Sequence, residues 1–133
     1  MGEAFGKADV EAMVLDTNIL IGYLNGDQTV IDRLSQWRRE GRSLFVSAIT
    51  WSEVLSAPVL APEDLNLVKE FLASFLCIPV DQTLAETAAF IKRVYRIPIP
   101  DATIAATAIK FNLPLVSRDR DFRHIKEILL LEI

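Results

Sequence analysis

The sequence feature that most constrains this chain is an apolar run near its N-terminus that a single carboxylate interrupts. Residues 13–21 read MVLDTNILI, so that Asp16 ends a short buried-strand pattern and the next residues begin a helical one. A carboxylate next to buried apolar positions is costly unless it is paired or used. The segment therefore predicts a strand that ends at a functional or capping acid.

Three further carboxylates lie at comparable junctions between apolar and polar sequence. Glu53 follows the short β-prone segment 44–46, Asp101 precedes an apolar helix pattern, and Asp119 follows the buried-strand pattern 113–117. We predict that these acids and Asp16 converge on one metal site.

Strand and helix patterns alternate along the chain, which predicts an α/β fold. The expected architecture is a three-layer α/β/α sandwich with a central, mostly parallel sheet of about five strands. The length of 133 residues fits one domain. We assign residues 13–133 to it and treat residues 1–12 as an N-terminal extension that can be flexible. Ligands gather at the carboxyl ends of strands in such sheets.

Each of the four acids also has a structural interpretation as a cap or turn residue, which is most specific for Glu53 and Asp101. Thr50-x-x-Glu53 matches a capping box, in which the glutamate binds the first amide of its own helix. Residues 97–100, Ile-Pro-Ile-Pro, are expected to run extended, which makes Asp101 a candidate helix cap. The prediction of a shared site therefore depends on the joint placement of the acids.

Two polar residues beside these acids have alternative roles. Asn18 can form a hydrogen bond within the site or cap the first helix. Asp121, two residues after Asp119, can be the fourth acid of the site or the cap of a helix at Phe122. We favour Asp119 as the fourth acid.

A cluster of carboxylates implies a bound cation, because like charges raise one another's pKa values unless a cation neutralises them. Oxygen ligands favour Mg²⁺ or Mn²⁺ over zinc. His124 is the only histidine, and Cys77, the only cysteine, lies in an apolar run where we expect a buried thiol.

Composition excludes several other classes of protein. The net charge of −4 and pI of 5.0 argue against a protein that coats long nucleic acid through many phosphate contacts. The longest apolar stretches are far shorter than the roughly 20 residues of a membrane span. Without an export signal or paired cysteines, we expect a cytoplasmic protein and no membrane partner.

Four sequence blocks resemble those of a PIN-domain ribonuclease, most closely the VapC toxins. They are VLDTNI at 14–19, SAITWSE at 47–53, PDATIAATA at 100–108 and LVSRDRDF at 115–122. Together the blocks span essentially the whole predicted domain, and their order makes the likeness specific. The resemblance implies a PIN-like fold and a Mg²⁺- or Mn²⁺-dependent RNA phosphodiesterase that leaves 5′-phosphate and 3′-hydroxyl ends.

The resemblance also implies roles for particular residues. It places Asp16, Glu53 and Asp101 on the acidic triad of the family, Asp119 on its more variable fourth acid, and Thr17 on the hydroxyl residue beside the first acid. These four acids are the predicted catalytic residues and metal ligands. Cations near the site, which can contact substrate phosphates or form a solvated charged face, are Arg118, Arg120 and Arg123.

A VapC-like toxin is expected to form a homodimer and to be inhibited by a cognate VapB-like antitoxin. The apolar helix faces within 65–75 and 21–37 can supply a dimer surface or a peptide groove. Trp37 is expected to anchor its helix in the core. Lys92, Arg93 and Arg96 end another helix, where they favour its dipole and can also face a phosphate chain.

Other functions remain open at the level of sequence. A PIN nuclease of RNA processing would use the same acids, and a catalytically silent PIN fold would serve as a binding module. A haloacid-dehalogenase-type phosphatase would need an acid where Asn18 stands. A nucleotide-binding domain would need a glycine-rich loop after the first strand, and residues 16–18 contain no glycine.

Overall fold

A computed structural model describes residues 11–58 and 60–133. Residues 1–10 of the expected N-terminal extension lie outside the described residues. The first strand begins at Ala12, one residue earlier than the sequence pattern predicted.

Five parallel strands form one sheet, with the spatial order β3-β2-β1-β4-β5. The strand that carries Asp16 at its end is therefore the central one. The strand patterns predicted at 44–46 and 113–117 are observed, with bounds that differ by no more than two residues. The strands are β1 (Ala12–Leu15), β2 (Ser43–Ser47), β3 (Leu76–Ile78), β4 (Leu115–Ser117) and β5 (Leu130–Glu132).

Within the described ranges, six α-helices connect these strands. They are α1 (Thr17–Leu24), α2 (Gln28–Arg39), α3 (Ala48–Leu55), α4 (Leu65–Ala73), α5 (Gln82–Tyr95) and α6 (Ile99–Lys110), and short 3₁₀ turns occupy Pro62–Asp64 and Arg120–His124.

The helices cover both faces of the sheet, and alternate residues of β1 show why. Met13 and Leu15 pack with helices α1 to α4, whereas Val14 packs with α5 and α6. Successive side chains of a strand point to opposite faces, so one strand contributes to both cores. The predicted three-layer α/β/α sandwich is confirmed, and the sheet is entirely parallel.

The core on the first face contains Trp37, which is only 4% exposed, as its helical spacing predicted. The other face packs the small residues of α6 against the sheet: Ala102, Ala105, Ala106 and Ala108 are fully or almost fully buried. Small side chains allow a helix to approach closely, which fixes the position of the helix that carries Asp101.

The prediction of a buried cysteine is wrong. Cys77 is exposed, because β3 forms an edge of the sheet and Leu76 and Cys77 lie at its open side. The apolar run around Cys77 gave no sign of this, since sequence patterns do not distinguish an edge strand from a central one. Among the described residues, no helix has the length and apolar character needed to cross a membrane.

Candidate functional site

Asp16 lies at the carboxyl end of the central strand and begins the first helix. Its Oδ1 accepts a hydrogen bond from the backbone N–H of Thr17 at 2.8 Å, and its Oδ2 accepts one from the hydroxyl of Ser117 at 2.6 Å. The side chain is only 4% exposed. Asp16 thus serves as the cap of α1 and also presents a buried carboxylate at the middle of the sheet edge. Asn18, the alternative cap, lies within the helix instead.

Glu53 reaches the same place from helix α3. The capping-box interpretation is wrong, because α3 begins at Ala48 and its cap is Ser47, whose hydroxyl accepts from the N–H of Ile49. Glu53 is therefore in the second turn of the helix, and its Oε1 accepts a 2.6 Å hydrogen bond from the hydroxyl of Thr17. The hydroxyls of Thr17 and Thr50 are 2.9 Å apart. Thr17 thus joins the first two acids of the site.

Asp101 is carried by the first turn of α6 and does not cap it. We expected residues 97–100 to run extended, but the helix begins at Ile99, after Pro98. A proline is tolerated in the first turn because its missing N–H would have no partner there. Pro100 is therefore helical, and Asp101 lies half-buried at the third helical position, in the first turn, where the helix dipole favours a carboxylate.

Asp119 and Asp121 occupy different positions in the turn after β4. Asp119 caps the 3₁₀ turn by accepting from the N–H of Asp121 at 2.9 Å, so the prediction that Asp121 caps this segment is wrong. Asp119 lines the same cavity as the other three acids, whereas Asp121 is exposed and does not line it. This placement favours Asp119 as the fourth acid.

The four acids line a single open cavity of about 310 Å³ at the carboxyl edge of the sheet. Its walls are Asp16, Thr17, Asn18, Ile21, Glu53, Asp101 and Asp119. The joint placement predicted from the sequence is therefore present in the structure.

Ser117 is a polar residue of this site that sequence reasoning missed. Its fully buried hydroxyl donates to Asp16, accepts from the backbone N–H of Asp119 at 2.9 Å, and lies 3.5 Å from Nδ2 of Asn18. It thereby links the acid after β1 to the acid after β4. The only signal in the sequence is a serine at the end of a buried strand, a common arrangement that does not by itself identify a site.

The electrostatics of the cavity oppose two of its negative charges. The pKa of Asp16 is raised to about 6, mainly by burial and also by the charges of Asp101 and Asp119, against the hydrogen bonds from Ser117 and Thr17. Burial also raises the pKa of Asp101 to about 6, assisted by Asp119, Glu53 and Asp121. Near neutral pH the site carries a concentrated negative charge that a cation would relieve.

The donor set suits Mg²⁺ or Mn²⁺, since every polar group on the cavity wall offers oxygen. The side chains are not in a ligating arrangement: among residues 11–58 and 60–133, no three His, Cys, Asp or Glu groups are placed to hold one ion. Two carboxylates instead face hydroxyls, Asp16 toward Ser117 and Glu53 toward Thr17. The buried Oδ1 of Asn18 has no hydrogen-bond partner within the described chain. The residues fit such an ion chemically, since a carboxylate oxygen that accepts one hydrogen bond keeps a second lone pair for a cation.

Two of the three arginines after β4 form ion pairs with acids outside the cavity. Arg118 forms a two-point ion pair with Asp27, the cap of α2, at 2.5 and 3.2 Å, and Arg123 pairs with Glu132 on β5 at 2.8 to 3.1 Å. Arg120 is exposed, close enough to Glu132 to lower its pKa. A phosphate role for these arginines stays a prediction, and two of them would first have to exchange an ion pair.

Comparison with known proteins agrees with the fold. The sequence matches the family model described as PIN domain over residues 13–128. A comparison with proteins of curated function finds no match.

Several solved structures are similar to this one. A toxin–antitoxin complex from Klebsiella pneumoniae is 30% identical, with a TM-score of 0.77, over 91% of this chain and 99% of that chain. FitAcB from Neisseria gonorrhoeae is 25% identical, with a TM-score of 0.71, over 90% of this chain and 96% of that one. DNA-bound VapBC from Salmonella typhimurium, at 23% identity, a TM-score of 0.76 and coverage of 92% and 98%, shares the fold.

Proposed function

Since this chain belongs to the PIN domain family, we propose that it is a metal-dependent ribonuclease of the VapC toxin type, inhibited by a cognate antitoxin. The observation that carries the proposal is the convergence of Asp16, Glu53, Asp101 and Asp119 on one cavity. A binding module would have no use for four carboxylates in one cavity, where the pKa values of Asp16 and Asp101 are raised.

The proposed ligands of Mg²⁺ or Mn²⁺ are these four acids. When bound, the ion would neutralise the phosphodiester and make water a better nucleophile. Thr17 holds the carboxylate of Glu53, and Ser117 holds that of Asp16, so both are oriented before substrate arrives. One of the four acids would also accept the proton of the attacking water.

The proposed partners follow from the same comparison. The similar structures include a toxin–antitoxin complex from Klebsiella pneumoniae, and an apolar groove of about 300 Å³ between α1, α3 and α4 here offers a place for an antitoxin segment. Leu24 and Leu67 leave apolar surface exposed at this groove. We also propose a homodimer, as the resemblance implied, and the cytoplasm as the place where the protein meets RNA.

The proposal is tested by incubating the purified protein with a mixed RNA pool in Mg²⁺ or Mn²⁺ and mapping the product ends. We expect 5′-phosphate and 3′-hydroxyl ends. Asp119→Asn should slow cleavage by at least about tenfold, because it removes the charge of a proposed metal ligand, whereas Asp121→Asn should leave it unchanged. Equal effects of the two substitutions would contradict the proposed ligand role of Asp119. The absence of cleavage with every RNA and every metal would favour a binding module.

Ser117→Ala is expected to impair both folding and activity. The substitution removes the hydrogen-bond donor to Asp16 and leaves the N–H of Asp119 without its acceptor, at a cost of about 1–3 kcal/mol in the free energy of unfolding. Cleavage should fall by about 10- to 100-fold, as for other groups that orient metal ligands. Urea unfolding and cleavage rates of the folded variant measure the two effects.

The matched control is Ser47→Ala. Ser47 is equally buried and also ends a strand, but its hydroxyl only caps α3. Its removal should cost about 0.5–2 kcal/mol of stability with little change in the cleavage rate per folded molecule. An equal loss of activity in both variants would reduce the role of Ser117 to stability.

A further inference from the structure

A groove of about 460 Å³ with three cations on its walls lies along the C-terminal half of α5. It is lined by Ala89, Lys92 and Arg93 from α5, by Arg96, the residue that ends this helix, and by Ile99 from α6. Spacings of three and four residues place Ala89, Lys92 and Arg93 on one face of α5. The groove therefore presents a single positively charged strip.

The three cations of this strip are not neutralised within the described part of the chain. Lys92, Arg93 and Arg96 are exposed, and the ion pairs found among residues 11–58 and 60–133 involve none of them. The ammonium of Lys92 has one long hydrogen bond, 3.5 Å, to the carbonyl of Ile97. The three cations contrast with Arg118 and Arg123, which are ion-paired.

The strip begins at the turn of α6 that carries Asp101. Ile99 lies on the wall of the strip and belongs to the first turn of α6, as Asp101 does. Because the two residues are two positions apart, their side chains leave the helix in nearly opposite directions. Helices α5 and α6 are in extensive contact, so the relative position of the strip and of Asp101 is fixed by packing. A polymer that crosses the acidic cavity would reach the strip by passing around the N-terminal turn of α6.

We propose that this strip binds the phosphate backbone of single-stranded RNA beside the bond that is cleaved. The inference rests on the proposed nuclease function and adds the path of the substrate. An acidic cavity alone repels a phosphate chain, so a nearby set of cations is needed to hold it. Guanidinium groups bind phosphate oxygens through two parallel N–H donors, which suits Arg93 and Arg96.

The test compares RNA binding by two double variants, both in an Asp16→Asn background that is expected not to cleave. One carries Arg93→Gln and Arg96→Gln in the strip. The control carries Arg39→Gln and Lys69→Gln, which remove the same charge from exposed positions on α2 and α4, on the other face of the sheet. The dissociation constant of a fluorescent single-stranded RNA is measured in Mg²⁺ at several KCl concentrations.

We expect the plot of log K against log salt concentration to be less steep by about 1.4 for the strip variant. Two phosphate contacts are removed, and each contact with single-stranded nucleic acid contributes about 0.7 to the slope. Its affinity at about 0.1 M salt should fall roughly tenfold, and the control should match the Asp16→Asn parent. Equal slopes in both double variants would overturn the inference. If these equal slopes accompany metal-dependent cleavage by the wild-type chain, the proposed function stands and the path of the substrate is wrong. If the parent does not bind RNA and the wild type does not cleave it, both proposals fail.

Discussion

Replacement of Asp16 by asparagine is expected to lower RNA cleavage by at least about 100-fold and to raise the stability of the metal-free protein. The loss of activity follows from the proposed ligand role. Groups that merely orient metal ligands contribute about 10- to 100-fold, so removal of a ligand charge should cost more. The gain in stability follows from burial, because the ionised carboxylate is 4% exposed and its pKa is raised to about 6.

The asparagine side chain can keep the local hydrogen bonds. Its carbonyl oxygen can still accept from the N–H of Thr17, and the hydroxyl of Ser117 can turn to accept from the new amide group. The fold should therefore remain intact while the charge is lost. Circular dichroism, melting temperature in EDTA and cleavage rate in Mg²⁺ measure the three properties.

Asp81→Asn is the matched control for this substitution. Asp81 also caps a helix, with its Oδ1 accepting from the N–H of Leu84 at 2.8 Å, but it is exposed and outside the acidic cavity. Its pKa is lowered by that hydrogen bond, so its ionised form stabilises the fold. The control should keep its activity and lose a little stability. An active Asp16→Asn variant would contradict the proposed ligand role.

Ionisation of the buried Asp16 should lower the stability of the metal-free protein by an amount that depends on pH. A carboxyl group whose pKa rises from 3.8 to about 6 on folding binds its proton more tightly in the folded state. The folded state is therefore favoured at low pH, and this contribution is lost as the pH rises from about 4 to above 6. A shift of this size corresponds to a free energy on the order of 3 kcal/mol. Asp101 acts in the same direction with a smaller effect, since it is half-exposed.

Other groups change stability with pH in the opposite direction, so the comparison must be a difference between two proteins. Asp27 and Glu132, for example, have lowered pKa values because of Arg118 and Arg123, respectively. Urea unfolding of wild type and Asp16→Asn in EDTA at pH 4 to 8 cancels these shared contributions. The free energy of unfolding of the variant should exceed that of wild type by an amount that grows up to about pH 7. A constant difference would show that Asp16 titrates normally, and added Mn²⁺ should reduce the difference at neutral pH.

The sequence predicted the fold and the four acids because both depend on local patterns. Alternation of short buried strands with helices determines a parallel sheet, and the acid that follows each strand must then lie at its carboxyl edge. Asp16 and Asp119 follow neighbouring strands β1 and β4, so their proximity follows from strand order once that order is known. The order itself depends on packing that a single sequence does not display.

The errors arose where a local pattern had two solutions. Thr50-x-x-Glu53 matches a capping box, but Ser47 begins the helix earlier and moves Glu53 into its second turn. The Ile-Pro-Ile-Pro segment ends in a helix, because Pro100 lies where no N–H is required.

Sequence patterns did not predict the contacts between distant parts of the chain. The hydroxyl of Ser117 binds Asp16 across a separation of 101 residues, and the ion pair of Arg118 with Asp27 spans 91. Nothing local distinguishes Arg118, which is paired, from Arg93, which the structure places in a groove without an acidic partner among the described residues. Such assignments require the folded arrangement.

The most direct test of the proposed metal-dependent nuclease removes and restores the metal in one reaction. The purified wild-type chain, free of any antitoxin, is incubated with RNA in Mg²⁺, then given excess EDTA, and then excess Mg²⁺. The four carboxylates that line one cavity predict cleavage that stops with EDTA and resumes with the returned metal. Cleavage that continues in EDTA, or a folded protein that cuts no RNA in either Mg²⁺ or Mn²⁺, would contradict it.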